Sequence, residues 1–255
     1  PDGSAAINPG SPRVSGDGRY VVFEAGDDRL DPSGGPVFGR ANTFLRDVVA
    51  GTTTRISTFG PEANSTVQGL RPRISADGRW ITFENGTIFV YDRIDRTTEI
   101  LARTPSGGYA PASDAAISDD GRFIAYSSRS VLGGPNGVSH ILVYDRLAGT
   151  TSRVSVASDA TLANSDSFTP AISGDGRFVA FQSTATNLDT SVPDTNGRTD
   201  IFVRDLVAGT TRIASITSTG TTPNRESFEE SISLDGAKVA FTSRGTDVLP
   251  GDTNN

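Results

Sequence analysis

The 255-residue chain contains no cysteine and no methionine, and it has a single histidine and a single tryptophan. The absence of cysteine excludes a disulfide scaffold, a thiolate zinc site and a thiol nucleophile. It also suits a protein that works outside the cytoplasm, periplasmic or secreted. Because the first residue is proline and methionine is absent, we expect a mature or trimmed product.

The chain also lacks clustered positive charge and long apolar runs. Its net charge is −7 and its pI about 4.8, and no run of lysine or arginine is large enough for a phosphate-binding surface. These values argue against nucleic acid and against an anionic membrane surface as partners. No apolar stretch approaches the roughly 18 residues of a membrane span, and no signal peptide is recognisable. A hydrophobic content of 35% with 28 glycines is that of an ordinary globular chain with a packed core.

The most informative feature that is present is a repeated unit. A nine-residue phrase, Ser-x-Asp-Gly-Arg-aromatic followed by an apolar run, occurs five times at intervals of 43 to 60 residues, with Ala-Lys replacing Arg-aromatic in the fifth copy. The copies begin at Ser15, Ser75, Ser118, Ser173 and Ser233. A second phrase, an apolar run that ends in aspartate, follows four copies and ends at Asp47, Asp92, Asp145 and Asp205. Repetition at such intervals is typical of propellers and solenoids.

The residues of each repeat predict β-strands. The runs are short, rich in Val, Ile, Phe, Tyr and Thr, and bounded by Gly, Asp or Asn, and no segment has a sustained helical period. In the second copy the predicted strands cover 72–75, 79–84, 88–92 and 98–102. The Asp-Gly pair between the first two strands predicts a hairpin with a type I′ turn, in which both central residues have positive φ.

The strands predict a β-propeller of four-stranded antiparallel blades. The second and third strands are apolar on both pleat faces, which indicates cover from both sides rather than a sandwich. We expect four complete blades near 9–58, 70–103, 114–157 and 169–217, and half of a fifth at 229–255. Because such an arrangement leaves open edges, we expect a fragment of a longer propeller, or a chain completed by another segment or protomer.

The fourth copy resembles the TolB-like β-propeller repeat family. The likeness is carried by Pro-x-Ile-Ser-x-Asp-Gly-Arg-aromatic-Val-Ala-Phe at 170–181 and by Asp-Ile-Phe-Val-Arg-Asp-Leu at 200–206, and it extends over nearly the whole chain. The resemblance implies a secreted or periplasmic bacterial propeller. The family includes propellers that bind protein partners and propellers attached to peptidases, so it implies a fold and no single activity.

No catalytic residue is predicted. The serine of each phrase could be read as a nucleophile beside a carboxylate, but its fivefold recurrence favours a structural turn, since a nucleophilic serine also needs a positioned base. His140 lies at the start of a predicted third strand and has no partners for a triad or a metal site. We expect it to have a surface or capping role.

The aspartates and arginines of the repeats have structural interpretations. We expect the aspartates at the ends of the third strands to accept backbone N–H bonds and fix the next hairpin. The arginines after Asp-Gly could pair between blades or line one face, and the sequence leaves both open; they are Arg19, Arg79, Arg122 and Arg177. Tripeptides of the N-glycosylation type begin at Asn64 and Asn85, and they carry little weight.

The best candidate for a ligand site is the segment 194–200. Asp194, Asn196 and Asp200 place three oxygen-bearing side chains around a turn that Gly197 permits, and such a set suits a hard cation. Calcium is therefore the one possible cofactor, although the bidentate glutamate of an EF-hand loop is missing. A turn held by its own Asx side chains is the alternative reading of the same residues.

The sequence favours a non-catalytic binding or scaffold module with a protein or cell-surface partner. Its working surfaces would be the long loops between second and third strands and between blades, together with the propeller funnel. The alternative is the substrate-gating propeller of a peptidase or hydrolase whose catalytic domain lies outside these residues. A lectin-like propeller would need exposed aromatic side chains, and Tyr109 alone stands out.

Overall fold

The computed structural model describes residues 10–31, 41–59, 65–66, 68–104, 106–130, 132 and 137–251. Across these residues the protein is all-β, with a short 3-10 turn at Asp28–Leu30 and no α-helix. The chain divides into two compact units, Pro1–Gly121 and Arg122–Asn255, which we describe separately. The division falls in the turn between the first and second strands of the third sheet.

The first unit contains two complete antiparallel meanders. Their strand orders are β1-β2-β3-β4 and β7-β8-β9-β10, and a two-residue hairpin, β5-β6, lies between them in sequence. The strands are β1 (Gly10–Val14), β2 (Tyr20–Ala25), β3 (Asn42–Asp47), β4 (Thr52–Arg55), β5 (Thr58–Phe59), β6 (Ser65–Thr66), β7 (Leu70–Ile74), β8 (Trp80–Glu84), β9 (Ile88–Asp92), β10 (Thr97–Ile100) and β11 (Ala112–Ile117).

The second unit continues the same pattern. Strand β11 is the first of the third sheet, β11-β12-β13-β14, and β15-β16-β17-β18 and β19-β20 follow. The strands are β12 (Phe123–Ser128), β13 (His140–Asp145), β14 (Thr150–Arg153), β15 (Ser167–Ile172), β16 (Phe178–Ser183), β17 (Asp200–Asp205), β18 (Thr210–Ile213), β19 (Ser227–Ile232) and β20 (Val239–Ser243). The predicted architecture, four four-stranded meanders and two strands of a fifth, is confirmed.

The cores form between successive sheets of a unit. In the first unit Val22 of the first sheet and Ile81 and Phe83 of the second lie in one buried cluster. In the second unit Ile141 of the third sheet and Phe181 of the fourth do the same. All five residues of β9 are buried, as expected for a strand covered on both faces. Each sheet therefore needs its neighbour to exclude water from its apolar surface.

The Ser-x-Asp-Gly turns are not of type I′. In the first copy, Ser15 N donates to Tyr20 O and Gly18 N donates to Ser15 O, both at 2.9 Å, so four residues separate the paired ends. Among the turn residues only Gly18 has positive φ, at 74°. The Asp17 carboxylate accepts bonds from Ser15 Oγ and Arg19 N, which hold the aspartate without positive φ.

The first strands share an irregularity that the sequence did not predict. In the first, second, fourth and fifth sheets the pairing register shifts within the first strand, which indicates a β-bulge. In each first strand one non-glycine residue has positive φ between 46° and 59°. These residues are Ser11, Arg71, Asp114, Thr169 and Glu229. They differ in type, although proline follows three of them, at Pro12, Pro72 and Pro170.

An aromatic ring of one copy covers the turn glycine of the next. In the second unit a Cβ added to Gly176 would lie 2.1 Å from a ring carbon of Phe123, and one added to Gly236 would lie 2.1 Å from Phe178. The first unit has the same contact between Tyr20 and Gly78 and between Trp80 and Gly121. The glycine thus provides both a left-handed conformation and the space for a neighbouring ring.

Candidate binding site

An arginine and an aspartate join the second and third strands of every complete meander. In the first, Arg19 binds Asp47 through Nε and Nη2 at 2.8 to 3.2 Å, and Asp47 Oδ1 also accepts bonds from Val49 N and Ala50 N. The same pairs are Arg79–Asp92, Arg122–Asp145 and Arg177–Asp205. The hydrogen bond from arginine, helped by the backbone N–H groups, lowers the pKa of Asp47 and of Asp145 to about 2.

These pairs resolve the roles of both residue types. The prediction that the aspartates fix the next hairpin is confirmed, because each accepts two backbone N–H bonds from the following turn. The arginines pair within their own meander, and each also lies over the ring of the aromatic residue that follows it. The recurrence of arginine and aspartate in the same copies was the signal that could have identified the pair.

The serines of the turns are structural, as predicted. Ser15 Oγ accepts a bond from Tyr20 N and donates to Asp17, and this serine is 3% exposed. The serines of the second, fourth and fifth copies make equivalent bonds. Each hydroxyl is therefore already committed to its turn.

His140 is buried, so the expectation of a surface position is wrong. It begins β13 with 2% of its surface exposed, and its Nδ1 lies 3.3 Å from Ser155 Oγ. Burial lowers the pKa of His140, and the charge of Arg153 lowers it further. His140 is buried because the first residue of β13 faces Ser155, which follows β14.

The same pairing occurs in two other meanders, and we call it the strand-three pair. Ser57 Oγ donates to Asn42 at 3.0 Å, and Ser215 Oγ donates to Asp200 at 2.8 Å. In every case the serine also accepts a bond from the backbone N–H of the second residue in the third strand. The sequence analysis missed this pair, although an apolar residue followed by serine recurs after each of these fourth strands.

The loops around the fourth meander are fixed by side-chain hydrogen bonds. Asn164, in the loop before β15, donates from its backbone N to Asn187 Oδ1 and from Nδ2 to Thr186 Oγ1, both at 3.0 Å. Thr186 N donates back to Asn164 Oδ1. Asn224 makes the same three bonds with Thr246 and Asp247. We call the loops 157–166, 184–199 and 217–226 of the second unit the loop face.

A cavity of about 260 Å³ opens on the loop face. Its lining residues are Ala157, Ser158, Asp159, Thr161, Asn187, Leu188, Asp189, Thr190 and Arg212. Asp189 is 6% exposed and accepts bonds from Ser191 and from Ile213 N. Burial alone would raise its pKa, but these bonds outweigh burial and lower the pKa of Asp189. Arg212 lies at the rim with its Nη1 3.5 Å from Asp189.

The predicted cation segment lies on the same face. Asp194 Oδ1 accepts bonds from Asn196 N and Gly197 N at 3.0 and 2.9 Å. Asn196 Oδ1 accepts a bond from Arg198 N, and its Nδ2 donates to Pro223 O. Burial raises the pKa of Asp200 to about 7 against the bond from Ser215, and the charge of Asp194 raises it further. The part of the chain that the structure describes contains no group of three His, Cys, Asp or Glu residues arranged for a metal.

The structure also places the exposed aromatic residue and one of the N-glycosylation-type tripeptides. Tyr109 is 60% exposed, with Arg103 Cζ 5.7 Å from its ring centre. Asn85 lies exposed in the turn between β8 and β9. Asn64 lies outside the described residues.

Comparison with known proteins gives structural matches alone. Neither a family model nor a curated protein sequence matches this chain. A putative TolB from Agrobacterium tumefaciens matches with a TM-score of 0.60 and 17% identity, over 96% of this chain and 73% of that chain. TolB from Acinetobacter baumannii matches with a TM-score of 0.53 and 20% identity, over 95% and 53%. The fold is a TolB-like β-propeller.

The same propeller fold occurs in a protein of another kind. The tricorn protease matches with a TM-score of 0.50 and 17% identity, over 84% of this chain and 20% of that chain. This propeller therefore spans about half of the Acinetobacter TolB and a fifth of the protease. None of the helices in the described residues is long and apolar enough to cross a membrane. Fold alone assigns no activity to the propeller.

Proposed function

We propose that this chain is a non-catalytic, extracytoplasmic β-propeller that binds a protein or a cell-surface component. The likeness to TolB structures and the absence of cysteine support this role and this location. The fold by itself is equally compatible with a part of an enzyme, so the argument depends on what the polar residues do.

The residues that could perform chemistry are already engaged. The turn serines bind their own aspartates, the third-strand aspartates bind arginine, and His140 faces Ser155. A nucleophile needs a free hydroxyl next to a positioned base, and none of these groups offers that arrangement. The described residues therefore favour binding over catalysis.

The observation that carries the proposal is the preorganised loop face. Its loops 157–166 and 184–199 are joined by the reciprocal bonds between Asn164 and residues 186–187, and Asn187 lines the cavity beside Asp189. A surface fixed before binding loses little conformational entropy when a partner docks. Loops on a rigid scaffold are also where propellers place recognition. Leu188 and the exposed Arg212 give the cavity the mixed apolar and charged lining of a recognition site.

The experiment captures partners on immobilised wild-type chain from the extracytoplasmic proteins of the source organism and quantifies them by mass spectrometry. We expect Thr190→Trp, which fills the cavity, and Arg212→Glu to reduce capture of the specific partner at least about tenfold. Leu147→Ser, on an exposed turn of the same unit, is the control and should keep the partner. The proposal is wrong if both cavity variants bind like the wild type, or if the purified chain hydrolyses peptides or glycans.

A second candidate is the substrate-gating propeller of a hydrolase. It is favoured by the match to the tricorn protease, of which this chain corresponds to a fifth. The complete reading frame distinguishes the two candidates, because a Gly-x-Ser-x-Gly segment followed by aspartate and histidine would indicate an attached hydrolase.

We also propose that another strand completes the half blade, from a further segment or from a second protomer. Val239 and Phe241 of β20 are only partly buried, whereas the equivalent Val179 and Phe181 of β16 are fully buried. A peptide with the sequence of residues 199–213 supplies a third and a fourth strand of the same repeat. We expect it to bind the chain and protect β20 amides from hydrogen exchange, with a scrambled peptide as control. Equal exchange with both peptides would contradict the proposal.

A further inference from the structure

The fourth meander contains two carboxylates that no positive charge compensates. Asp200 is 1% exposed, and its Oδ2 is buried with no hydrogen-bond partner. The Oδ2 atom of Asp194 is also buried and without a partner. Within the described residues neither carboxylate forms an ion pair with arginine, lysine or histidine. An uncompensated buried carboxylate is costly, so the pair of Oδ2 atoms points to a bound cation.

The charge at position 200 is not needed for the fold. Asn42 holds the equivalent position in the first meander and accepts the same bond from Ser57 that Asp200 accepts from Ser215. His140 begins the third strand of the third meander, and Thr87 immediately precedes that of the second. An uncharged side chain thus satisfies the strand-three pair, and the carboxylate of Asp200 is specific to the one meander that also has Asp194.

Each of the two aspartates is held in place by bonds through its other oxygen. Asp194 Oδ1 accepts the N–H groups of Asn196 and Gly197, and Asp200 Oδ1 accepts the Ser215 hydroxyl. Asn196 fixes the loop through its bond to Pro223 O. Both Oδ2 atoms are thus left buried and unpartnered, one at each end of the segment 194–200.

We propose that Asp194 and Asp200 bind one calcium ion through their Oδ2 atoms. Carboxylate oxygens are hard ligands, and water and backbone carbonyl groups commonly complete a calcium shell. Calcium tolerates the irregular geometry of a loop better than magnesium, which requires a near-ideal octahedron. The ion would neutralise both charges and fix the loop 184–199. Calcium binding is measured on the chain without a partner, so the two proposals can fail separately.

The first test is direct binding. Chain stripped with EGTA is titrated with CaCl₂ and with MgCl₂ by calorimetry at neutral pH. We expect one Ca²⁺ per chain with sub-millimolar affinity, a much weaker response to Mg²⁺, and a melting temperature higher in millimolar CaCl₂ than in EGTA by about 4 °C or more. Absence of both Ca²⁺ heat and a change in melting temperature would overturn the proposal.

The second test uses substitutions that preserve the hydrogen bonds. Asp200→Asn reproduces the Asn42–Ser57 pair, and Asp194→Asn keeps an oxygen for the turn. Both variants should lose the calcium response, and in EGTA Asp200→Asn should melt at or above the wild-type temperature because the charge repulsion is relieved. Asp235→Asn, in the exposed turn of the fifth copy, is the matched control and should keep the response. Calcium binding by Asp200→Asn equal to that of the wild type would contradict the assignment.

Discussion

Replacing Gly176 with alanine is expected to destabilise the protein by about 2–5 kcal/mol. Gly176 has φ of +74°, which costs a residue with a side chain about 1–2 kcal/mol. Its Cβ would also lie 2.1 Å from Cδ2 and 2.8 Å from Cγ of Phe123, and overpacking adds about 1–3 kcal/mol. Urea unfolding followed by circular dichroism measures the change.

Gly149→Ala separates the two contributions. Gly149 also has positive φ, at +65°, but no atom lies within 4 Å of the position of an added Cβ. The free energy of unfolding of this control variant should therefore fall only by the cost of positive φ, about 1–2 kcal/mol. When Gly176→Ala is combined with Phe123→Ala, the total loss should be smaller than the sum of the two single losses, since the ring that clashes is gone. Equal effects of the two glycine substitutions would show that the ring contact is unimportant.

Asp145→Ala is expected to lower the free energy of unfolding by about 1–2 kcal/mol at neutral pH. The substitution removes the acceptor for Leu147 N and Ala148 N and the bidentate partner of Arg122. Loss of a side chain that caps backbone N–H groups costs about 0.5–2 kcal/mol, and a solvent-screened ion pair adds less than about 1 kcal/mol. Asp159→Ala, which caps Thr161 N alone through an exposed side chain, should cost less.

The effect of Asp145→Ala should depend on pH with a defined sign. The bond from Arg122 holds the pKa of Asp145 at about 2, below the unfolded value of about 3.9. The folded protein therefore binds fewer protons, and the stabilisation is present above about pH 4 and lost as pH falls towards 2. Chemical unfolding at a series of pH values should show the wild type and the variant converging in acid. A difference that stays constant down to pH ~2 would contradict the assigned pKa.

The sequence predicted the architecture because repetition exposes it. Five copies of Ser-x-Asp-Gly placed one hairpin per copy, and strands such as 178–181, apolar on both faces, required cover on both sides. The detail of the hairpin was wrong, since the Asp-Gly rule assumes two positive φ values and ignores the serine. Ser15 and Arg19 N hold Asp17 in the ordinary conformation, so only Gly18 is left-handed.

The sequence could suggest the residues of the candidate cation site but not the contacts that they make. Asp194, Asn196 and Asp200 lie in one short segment, so their pattern can be recognised in the sequence. The bond between Asp200 and Ser215, the bond between Asn196 and Pro223 and the burial of His140 depend on strand pairing and loop contacts. Such contacts join residues 15 to 27 positions apart, and a single sequence does not show which of them meet.

The contact between ring and glycine has a direction along the chain. Phe123 covers Gly176 of the following copy, and Phe178 in turn covers Gly236 of the copy after that. A complete copy therefore contributes a ring to its successor and a glycine to its predecessor. Inserting or deleting one whole copy preserves a ring–glycine contact between all neighbouring copies. A break inside a copy instead separates the ring of that copy from its glycine. Tandem duplication can accordingly lengthen this kind of protein in single steps without compensating substitutions.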